Sequence, residues 1–420
     1  MDEKNTILQG DIIINDNLIE KVVPEGSTDS DDSSVFEFDI DGQGCAVLPG
    51  LINTHGHAAM VLLRSYADDL PLMHWLEKKI WPLEAKLKPD DIYWGTMLAI
   101  LEMLKSGTTT FTDMYFFMDR AAEAVQESGI RAFLSRGMIG IGKQAEKALV
   151  ESRDFYREWH GAANGRINVM FGPHAPYTCP PDYLKKVINI IEETGASAQI
   201  HLAETREEVE RCYKEYGVSP VSFLQKIGLL KYDLLAAHCV HLNDEDIDIL
   251  AENNIAVAHN PGSNLKLGSG IAPLPALLEK GVTVALGTDG AASNNNLDML
   301  EETRLAALLH KGYAEDPTLI SAPEALALST RNGGKALGCA NQIGIIKEGY
   351  KADLLLFELN RPHLCPPHDL IAHFVYAAQP SDIKTVFVDG EIVVDKGQAL
   401  KIDEERVIYE VQKRALALVS

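Results

Sequence analysis

Two histidines separated by one residue end an apolar segment near the beginning of the chain. The segment reads Leu-Pro-Gly-Leu-Ile-Asn-Thr-His-Gly-His and finishes at His55 and His57. On a strand, side chains two positions apart point to the same face, so both imidazoles can reach one cation at about 2.1 Å. This pair alone is a weak signal, and it gains weight only if further ligands come from elsewhere in the chain.

Three more titratable residues stand where other apolar runs end. His201 ends Ala-Gln-Ile-His, His238 ends Leu-Ala-Ala-His, and Asp289 follows Leu-Gly-Thr. Buried polar groups at such positions need partners, and one shared site satisfies all of them more simply than five separate arrangements. The predicted metal ligands are His55, His57, His201 and Asp289.

This ligand set defines the chemistry that we expect. Three imidazoles and one carboxylate leave a position for water, as in catalytic zinc sites, although with one more protein ligand than is usual. Imidazole-rich sites also suit iron or manganese. A bound divalent metal lowers the pKa of its water toward 7, which makes hydroxide available at neutral pH. We therefore predict one divalent metal per subunit, Zn²⁺ first, with Fe²⁺ or Mn²⁺ as alternatives.

The elements that carry these residues alternate short β-branched runs with helical patterns, which is typical of parallel βαβ units. The eight predicted strands are Leu48–Asn53, Thr109–Met114, Ala132–Gly137, Asn168–Pro173, Ala198–Leu202, Leu234–Cys239, Ala256–Asn260 and Thr283–Gly287. Helices are predicted over Pro181–Thr194, Asp244–Asn253 and Pro273–Lys280. Eight such strands close a (β/α)8 barrel, whose C-terminal rim collects active-site residues.

The two ends of the chain have a different pattern, with short alternating strands and turn residues. These strands are predicted over Gly10–Val23, Val35–Leu48, Ala352–Leu359, Thr385–Val388 and Glu391–Val394, with Asp389-Gly390 as a hairpin turn. The predicted fold class is α/β, a (β/α)8 TIM-like barrel with a small β-sandwich domain built from both termini. The domain division is 1–49 with 346–420 for the sandwich and 50–345 for the catalytic barrel.

Composition limits the partners. The chain has 420 residues, 46% hydrophobic and 24% charged, as in a soluble globular protein. Its formal charge of −23 argues against nucleic acid or an anionic membrane. The first residues, MDEKNTILQG, lack the pattern of a signal peptide. The six cysteines have no CxxC spacing, which favours a reducing compartment. We expect a cytoplasmic protein, a homo-oligomer, with a small-molecule substrate.

The motifs PGLINTHGH and GTDGAASNN, with His201 and His238 between them, resemble the amidohydrolase superfamily over nearly the whole chain. Within it, the stretch from Leu63 to Lys88 and the segments SRGMIG, PHAPYTC, HLAET and HNPGSNLKLGSG look like the 5′-methylthioadenosine/S-adenosylhomocysteine deaminases. The resemblance implies hydrolytic deamination of an adenosine-type nucleoside to its inosine analogue and ammonia. Binuclear members carry a carboxylated lysine where this chain has His174, which implies a single metal. The HxE…PCxxC signature of base-flipping deaminases is absent from the sequence.

The resemblance also implies catalytic roles. Glu204, three residues after His201, would protonate N1 of the purine. Asp289 would take the proton of the attacking water while it ligates the metal. Glu204 and Asp289 would both also contact the substrate. His238 would orient the hydroxide or stabilise the developing charge.

Four further residues would bind the nucleoside. By resemblance, Trp75 lines the pocket, Glu84 holds the ribose hydroxyls, His174 contacts the purine or ribose side, and Arg136 reaches toward the 5′-substituent. A carboxylate on vicinal hydroxyls favours a riboside over a free base.

The residues available to bind an amino-acid tail on the 5′-substituent differ from those of some relatives. Relatives that bind such a tail can use a second arginine soon after the position of Arg136. Here no arginine follows until Arg153, so that Lys143 or Lys147 must substitute, or nothing does. Relatives usually also have a strand before the stretch that matches Met1–Gly10, which predicts an exposed sheet edge near Gly10–Asn15.

Two other functions stay open at this point. One is a different mononuclear hydrolase of the same superfamily: a 5′-deoxyadenosine, guanine or cytosine deaminase, or an s-triazine chlorohydrolase. The other is a non-catalytic scaffold on the same barrel. The complete set of predicted metal ligands disfavours the scaffold.

Overall fold

The computed structural model describes residues 6–26 and 37–419. In chain order, the strands within these residues are β1 Gly10–Asn15, β2 Leu18–Pro24, β3 Cys45–Pro49, β4 Leu51–Asn53, β5 Thr108–Tyr115, β6 Arg131–Met138, β7 Ile167–Val169, β8 Gly172–Pro173, β9 Ala198–Leu202, β10 Leu234–His238, β11 Ala256–His259, β12 Val284–Leu286, β13 Leu354–Glu358, β14 Ile383–Val388, β15 Glu391–Asp395 and β16 Gln398–Ala399.

The helices longer than one turn and a half are Pro89–Lys105, Met118–Ser128, Ala145–Trp159, Pro181–Thr194, Arg206–Tyr216, Pro220–Ile227, Asp244–Glu252, Pro261–Lys266, Leu274–Glu279, Met299–Ala314, Ala322–Leu328, Arg331–Ala336, Leu370–Tyr376 and Glu404–Val419. The remaining helical segments, which are 3-10, π or single α-helical turns, are Ala58–Leu63, Leu72–Trp75, Leu76–Ile80, Trp81–Glu84, Ala162–Gly165, Leu229–Lys231, Ala291–Asn294, Pro362–Leu364 and Pro380–Asp382. Among the described helices, none has the length and apolarity to cross a bilayer.

Strands β4 to β12 form the predicted barrel. Strands β4, β5, β6 and β7 are consecutive parallel neighbours, β8 pairs with β6, and β9 to β12 form a second parallel run. Parallel bridges between Gly56 and Asp289 and between Phe171 and Ala198 join the two runs into a closed ring. The α/β fold class and the barrel are therefore confirmed, and the predicted helix Pro181–Thr194 has the same bounds in the structure.

The predicted first strand, Leu48–Asn53, is wrong in one respect, because it consists of two strands in different sheets. Strand β3 pairs with β13 in the terminal sheet, whereas β4 pairs with β5 in the barrel. Gly50 lies between them, where an added Cβ would come within 2.0 Å of Thr109 Oγ1. The apolar run continues through this junction, so it cannot show that the chain changes sheets.

The termini meet in one small β-rich unit. Its five-stranded antiparallel sheet has the order β16-β15-β14-β13-β3, and the ribbon of β1 and β2 packs on it through Ile19, Leu354 and Phe387. Asp389 and Gly390 have φ values of 53° and 81°, which fits the predicted hairpin turn between β14 and β15.

Two predictions about this unit need comment. The predicted strand Val35–Leu48 is wrong over 37–44, where the chain forms turns and bends, and Val35 lies outside the described residues. Among the described residues β1 pairs only with β2, so its other edge is open, as expected near Gly10–Asn15. The domain division at residues 49/50 and 345/346 stays a prediction.

A buried ion cluster joins the barrel to the terminal sheet. Arg131, at the start of β6, donates to both carboxylate oxygens of Asp353 at 2.9 and 3.1 Å and to Asp389 at 3.1 Å. Lys351 adds a fourth charge 3.3 Å from Asp389. The side chains of Arg131 and Asp353 are 6% and 2% exposed, so removal of one partner leaves an uncompensated buried charge.

We predict that Arg131→Met lowers the free energy of unfolding by about 3–5 kcal/mol, the usual result of breaking a buried ion pair from one side. Arg153→Met is the matched control, because Arg153 is 33% exposed and pairs with Glu193 at 2.9 Å. Its loss should amount to less than about 1 kcal/mol. Urea unfolding of both variants measures the difference, and equal losses would show that the cluster contributes no more than a surface pair.

Candidate active site

The four predicted metal ligands lie together at the C-terminal rim of the barrel. Nε2 of His57 is 3.2 Å from Nε2 of His201 and 3.3 Å from Oδ1 of Asp289. Nε2 of His55 is 3.6 Å from the same Asp289 oxygen. His238 joins the group, since ring nitrogens of His55, His201 and His238 lie within 4.8 Å of one another.

Backbone contacts determine which nitrogens of two imidazoles face the centre as acceptors. Nδ1 of His57 lies 2.7 Å from the carbonyl of Met114, and Nδ1 of His201 lies 2.7 Å from the carbonyl of His174. A carbonyl only accepts, so each Nδ1 carries the proton, and each Nε2 of the neutral ring presents a lone pair. Burial lowers the pKa of His201 well below its usual value, so its neutral form dominates. In the neutral form of both rings, which is the form that binds a metal, these two lone pairs lie 3.2 Å apart and cannot satisfy each other.

His55 gives independent support for a bound cation. Its side chain is completely buried, and neither of its ring nitrogens has a hydrogen-bond partner among the described residues. Buried polar atoms without partners cost about 1–3 kcal/mol each. A divalent cation among the facing nitrogens and the Asp289 carboxylate would satisfy all of these acceptors, so the residues present fit a metal.

Asp289 is held as an anion. Its Oδ1 accepts from the amide of Gly290 at 2.8 Å, and its Oδ2 accepts from the hydroxyls of Ser263 and Ser293 at 2.6 and 2.9 Å. Burial alone would raise the pKa of this carboxyl, but His57, His238 and the hydrogen bonds hold it below its usual range. These contacts fix the orientation of the carboxylate toward the histidines.

Glu204 is a buried carboxyl that lies close to His238. Its Oε2 lies 3.9 Å from Nε2 of His238, and its Oε1 accepts a 3.4 Å hydrogen bond from Ser269. Burial raises the pKa of Glu204, although His238 partly opposes this. Nδ1 of His238 is in turn 2.8 Å from Oδ1 of Asn264, so that Nε2 faces Glu204. The pair combines a carboxyl whose raised pKa favours the protonated form with an imidazole of fixed orientation.

The backbone turn that carries Glu204 is held by a second buried carboxylate. The two oxygens of Glu208 accept from the amides of Ala203 and Glu204, both at 2.9 Å. Ala203 has a φ of 50°, which is unfavourable for a residue with a side chain. Glu208 lies in the first turn of Arg206–Tyr216, where Thr205 caps the helix. This arrangement fixes Glu204 beyond the end of β9.

A cavity of about 820 Å³, its opening to solvent included, lies above this group. Trp75 is buried in its wall, and Glu84 accepts a 2.7 Å hydrogen bond from the hydroxyl of Tyr115. His174 also lines the cavity, with Nδ1 3.0 Å from Thr178 Oγ1. The segment Leu76–Ile80 is a π-helical turn that separates Trp75 from Glu84, and such turns recur at functional sites.

Arg136 does not line this cavity. It lines an adjoining one, where its guanidinium pairs with Glu151 at 2.9 Å and lies over the ring of Phe116 at 5.7 Å. The cavity above the histidine cluster, which we call the active-site cavity, is lined by these predicted site residues: Trp75, Glu84, His57, His174, His201, Glu204, His238 and Asp289. His55 lies buried beneath them.

Some supporting residues were not predicted. Asp113, near the end of β5, accepts from the amide of Ala58 at 2.9 Å, and burial raises its pKa to about 6. The rule that singled out Asp289, a carboxylate at the end of an apolar strand, applies to Asp113 as well and could have identified it. Ser263 and Ser293 follow strands β11 and β12, and Tyr115 is the last residue of β5, but hydroxyls at such positions are too common to be informative without the structure.

Comparison with known proteins agrees with the geometry. The amidohydrolase family profile matches residues 46–393. A 5-methylthioadenosine/S-adenosylhomocysteine deaminase of Pelotomaculum thermopropionicum is 57% identical over 98% of this chain and 94% of its own. A protein of the same name from Syntrophomonas wolfei is 52% identical over 98% and 95%.

Solved structures show the same relationship. An adenosine deaminase from Xanthomonas campestris with bound zinc superposes with a TM-score of 0.93 at 33% identity, over 97% of this chain and 93% of that one. The atrazine chlorohydrolase TrzN from Arthrobacter aurescens, complexed with zinc, has a TM-score of 0.90 at 26% identity, over 99% and 97%. The chain belongs to the amidohydrolase family.

Proposed function

We propose that the protein hydrolytically deaminates adenosine-type nucleosides with a 5′-thioether, namely 5′-methylthioadenosine and S-adenosylhomocysteine, to the inosine analogue and ammonia. The convergence of His55, His57, His201 and Asp289 beneath a cavity that also contains Glu204 and Glu84 carries this proposal. The names of the 47–57% identical relatives support the substrate class.

The proposed cofactor is one divalent metal per subunit, Zn²⁺ first, as in the zinc-bound adenosine deaminase neighbour. Fe²⁺ and Mn²⁺ remain the alternatives. His55, His57, His201 and Asp289 would hold it. When bound, the metal supplies a nucleophile at neutral pH, because it lowers the pKa of a water toward 7.

The protein's own groups would carry the protons. Glu204 donates a proton to N1 of the purine, which makes C6 a better electrophile, and its raised pKa keeps that proton available. Asp289 accepts the proton of the attacking water. His238, tied to Asn264, presents Nε2 to orient the nucleophile or to stabilise the charge that develops on its oxygen. Asp289 passes the water proton to the amino group at C6, which leaves as ammonia when the C–N bond breaks, and the proton of the C6 hydroxyl returns to Glu204 as the carbonyl forms.

Substrate contacts follow from the cavity walls. Glu84, oriented by Tyr115, accepts hydrogen bonds from the ribose 2′- and 3′-hydroxyls, while Trp75 covers the nucleoside and His174 contacts its purine or ribose side. Arg136 reaches the 5′-substituent from the adjoining cavity. These contacts favour a nucleoside over guanine, cytosine or a triazine.

We further propose a cytoplasmic homo-oligomer that does not bind nucleic acid. The charge of −23 supports the last point. The six cysteines, all within the described residues, are free thiols, which supports a reducing compartment.

Metal content tests the ligand set. Wild-type protein should contain about one divalent metal per chain, and His57→Ala should contain much less, because a lost imidazole removes a ligand. The control is His368→Ala, because His368 is exposed and comes after the last barrel strand, β12. This variant should keep its metal. Elemental analysis after desalting measures this. Equal metal content in all three proteins would contradict the assigned ligands.

Replacement of Glu204 tests the proton donor. Glu204→Gln keeps the size of the side chain but cannot donate to N1 as an acid, so kcat should fall by about 10²–10⁴-fold with metal content unchanged. Glu207→Gln, at an exposed glutamate three residues on, should retain activity. Retention of more than half the activity by Glu204→Gln would refute the assignment.

Ammonia release from a panel of compounds tests the substrate class. We expect kcat/KM for 5′-methylthioadenosine to equal or exceed that for S-adenosylhomocysteine, and both to exceed adenosine, because the buried thioether adds contacts in the transition state. The panel should also include 5′-deoxyadenosine, guanine and cytosine, and chloride release should be measured in parallel for a chlorinated s-triazine. Preference for any of these four would replace the proposed function with another activity of the family.

A further inference from the structure

A second cavity of about 1880 Å³, its opening included, adjoins the active-site cavity, and we refer to it as the outer chamber. The two share Trp81, Glu84, Phe116 and Ile139 as lining residues. If the purine C6 lies over the histidine cluster and the ribose lies at Glu84, the 5′-carbon faces the outer chamber. The charges of this chamber therefore act on the 5′-tail of a bound nucleoside.

The described lining of the outer chamber has more acids than bases. Its cations are Arg136, Lys143 and Lys147, and its acids are Glu84, Asp119, Glu151, Asp154 and Glu158, an excess of two acids (five minus three). This distribution does not favour an added carboxylate.

Glu151 forms ion pairs with two of the three cations. Its Oε2 accepts from Nε and Nη2 of Arg136 at 3.0 and 2.9 Å, and its Oε1 lies 3.1 Å from Nζ of Lys147. Arg136 is further fixed by a hydrogen bond to the carbonyl of Gly137 and by its position over Phe116. A carboxylate that approached Arg136 would have to displace Glu151 or lie beside it as a like charge.

Burial makes this competition significant. The Arg136 side chain is 16% exposed and that of Glu151 is 39% exposed, so salt and water screen the pair less than they screen an open surface pair. A tail that ends in an ammonium group meets the opposite situation, since the excess acids attract it and no ion pair has to break.

We propose that Glu151 is a specificity-determining residue that disfavours 5′-tails with a free carboxylate and favours tails that are neutral or end in an ammonium group. This inference rests on the proposed deamination of 5′-substituted adenosines. It sets the order among the 5′-tails, whereas the histidine cluster and Glu204 carry the reaction.

The test uses three substrates with the full-length, metal-containing protein: 5′-methylthioadenosine, S-adenosylhomocysteine, and 5′-(3-aminopropylthio)-5′-deoxyadenosine, which is S-adenosylhomocysteine without its carboxylate. In the wild type, kcat/KM for the aminopropyl compound should exceed that for S-adenosylhomocysteine. In Glu151→Gln, the ratio of S-adenosylhomocysteine to the aminopropyl compound should rise roughly 5- to 10-fold, because Arg136 becomes free to pair with the tail. Glu151→Ser should show the same direction.

Two controls isolate the cause. Glu146→Gln changes another glutamate of the same helix, which pairs with Lys186 outside the outer chamber, and should leave the ratio as in the wild type. Adding Arg136→Met to Glu151→Gln should abolish the gain. A ratio that stays constant or falls in both Glu151 variants would overturn the inference. If the wild-type protein deaminates none of the three nucleosides, the proposed function itself is refuted.

Discussion

The structure depends on one electrostatic constraint, which is that buried imidazole nitrogens and a carboxylate oxygen converge on one point of the barrel rim. Nε2 of His57 and Nε2 of His201 lie 3.2 Å apart, and Oδ1 of Asp289 lies 3.3 Å from the first. Backbone carbonyls hold the protons of both rings on the outer side. A divalent cation resolves this repulsion, so binding of the metal and stability of the folded site are coupled.

The barrel keeps these acceptors in place with strained backbone and buried support. His238 and Asp289 have φ values of 73° and 62°, in the left-handed region that side chains disfavour. Surrounding contacts over-determine these conformations. Glu302, for example, is fully buried and accepts from the amide of Gly262 at 3.0 Å and from Asn294 at 2.7 Å, which ties together the two segments that carry Ser263 and Ser293. Such rigidity is what catalysis by preorganised charge requires.

Much of this was predictable from the sequence, because strand ends and ligand residues are local signals. An apolar run that stops at a histidine or an aspartate predicts both a strand and its functional end, and four such runs identify one rim of a barrel. The sequence could not show that β3 and β4 belong to different sheets, since one apolar run continues through both. Nor could it show that Glu151 pairs with Arg136, because residues fifteen apart meet only once the helix Ala145–Trp159 has packed on β6. Long-range polar pairs of this kind follow from tertiary packing, which no spacing rule encodes.

If the proposed site is correct, active protein holds a divalent metal among imidazoles and one carboxylate. X-ray absorption at the metal edge of catalytically active protein measures the ligands directly. We expect a shell of nitrogen and oxygen scatterers at about 2.0–2.2 Å from the metal, with the multiple scattering that histidine rings produce. An active preparation without metal, or a shell dominated by sulfur at about 2.3 Å, would contradict it.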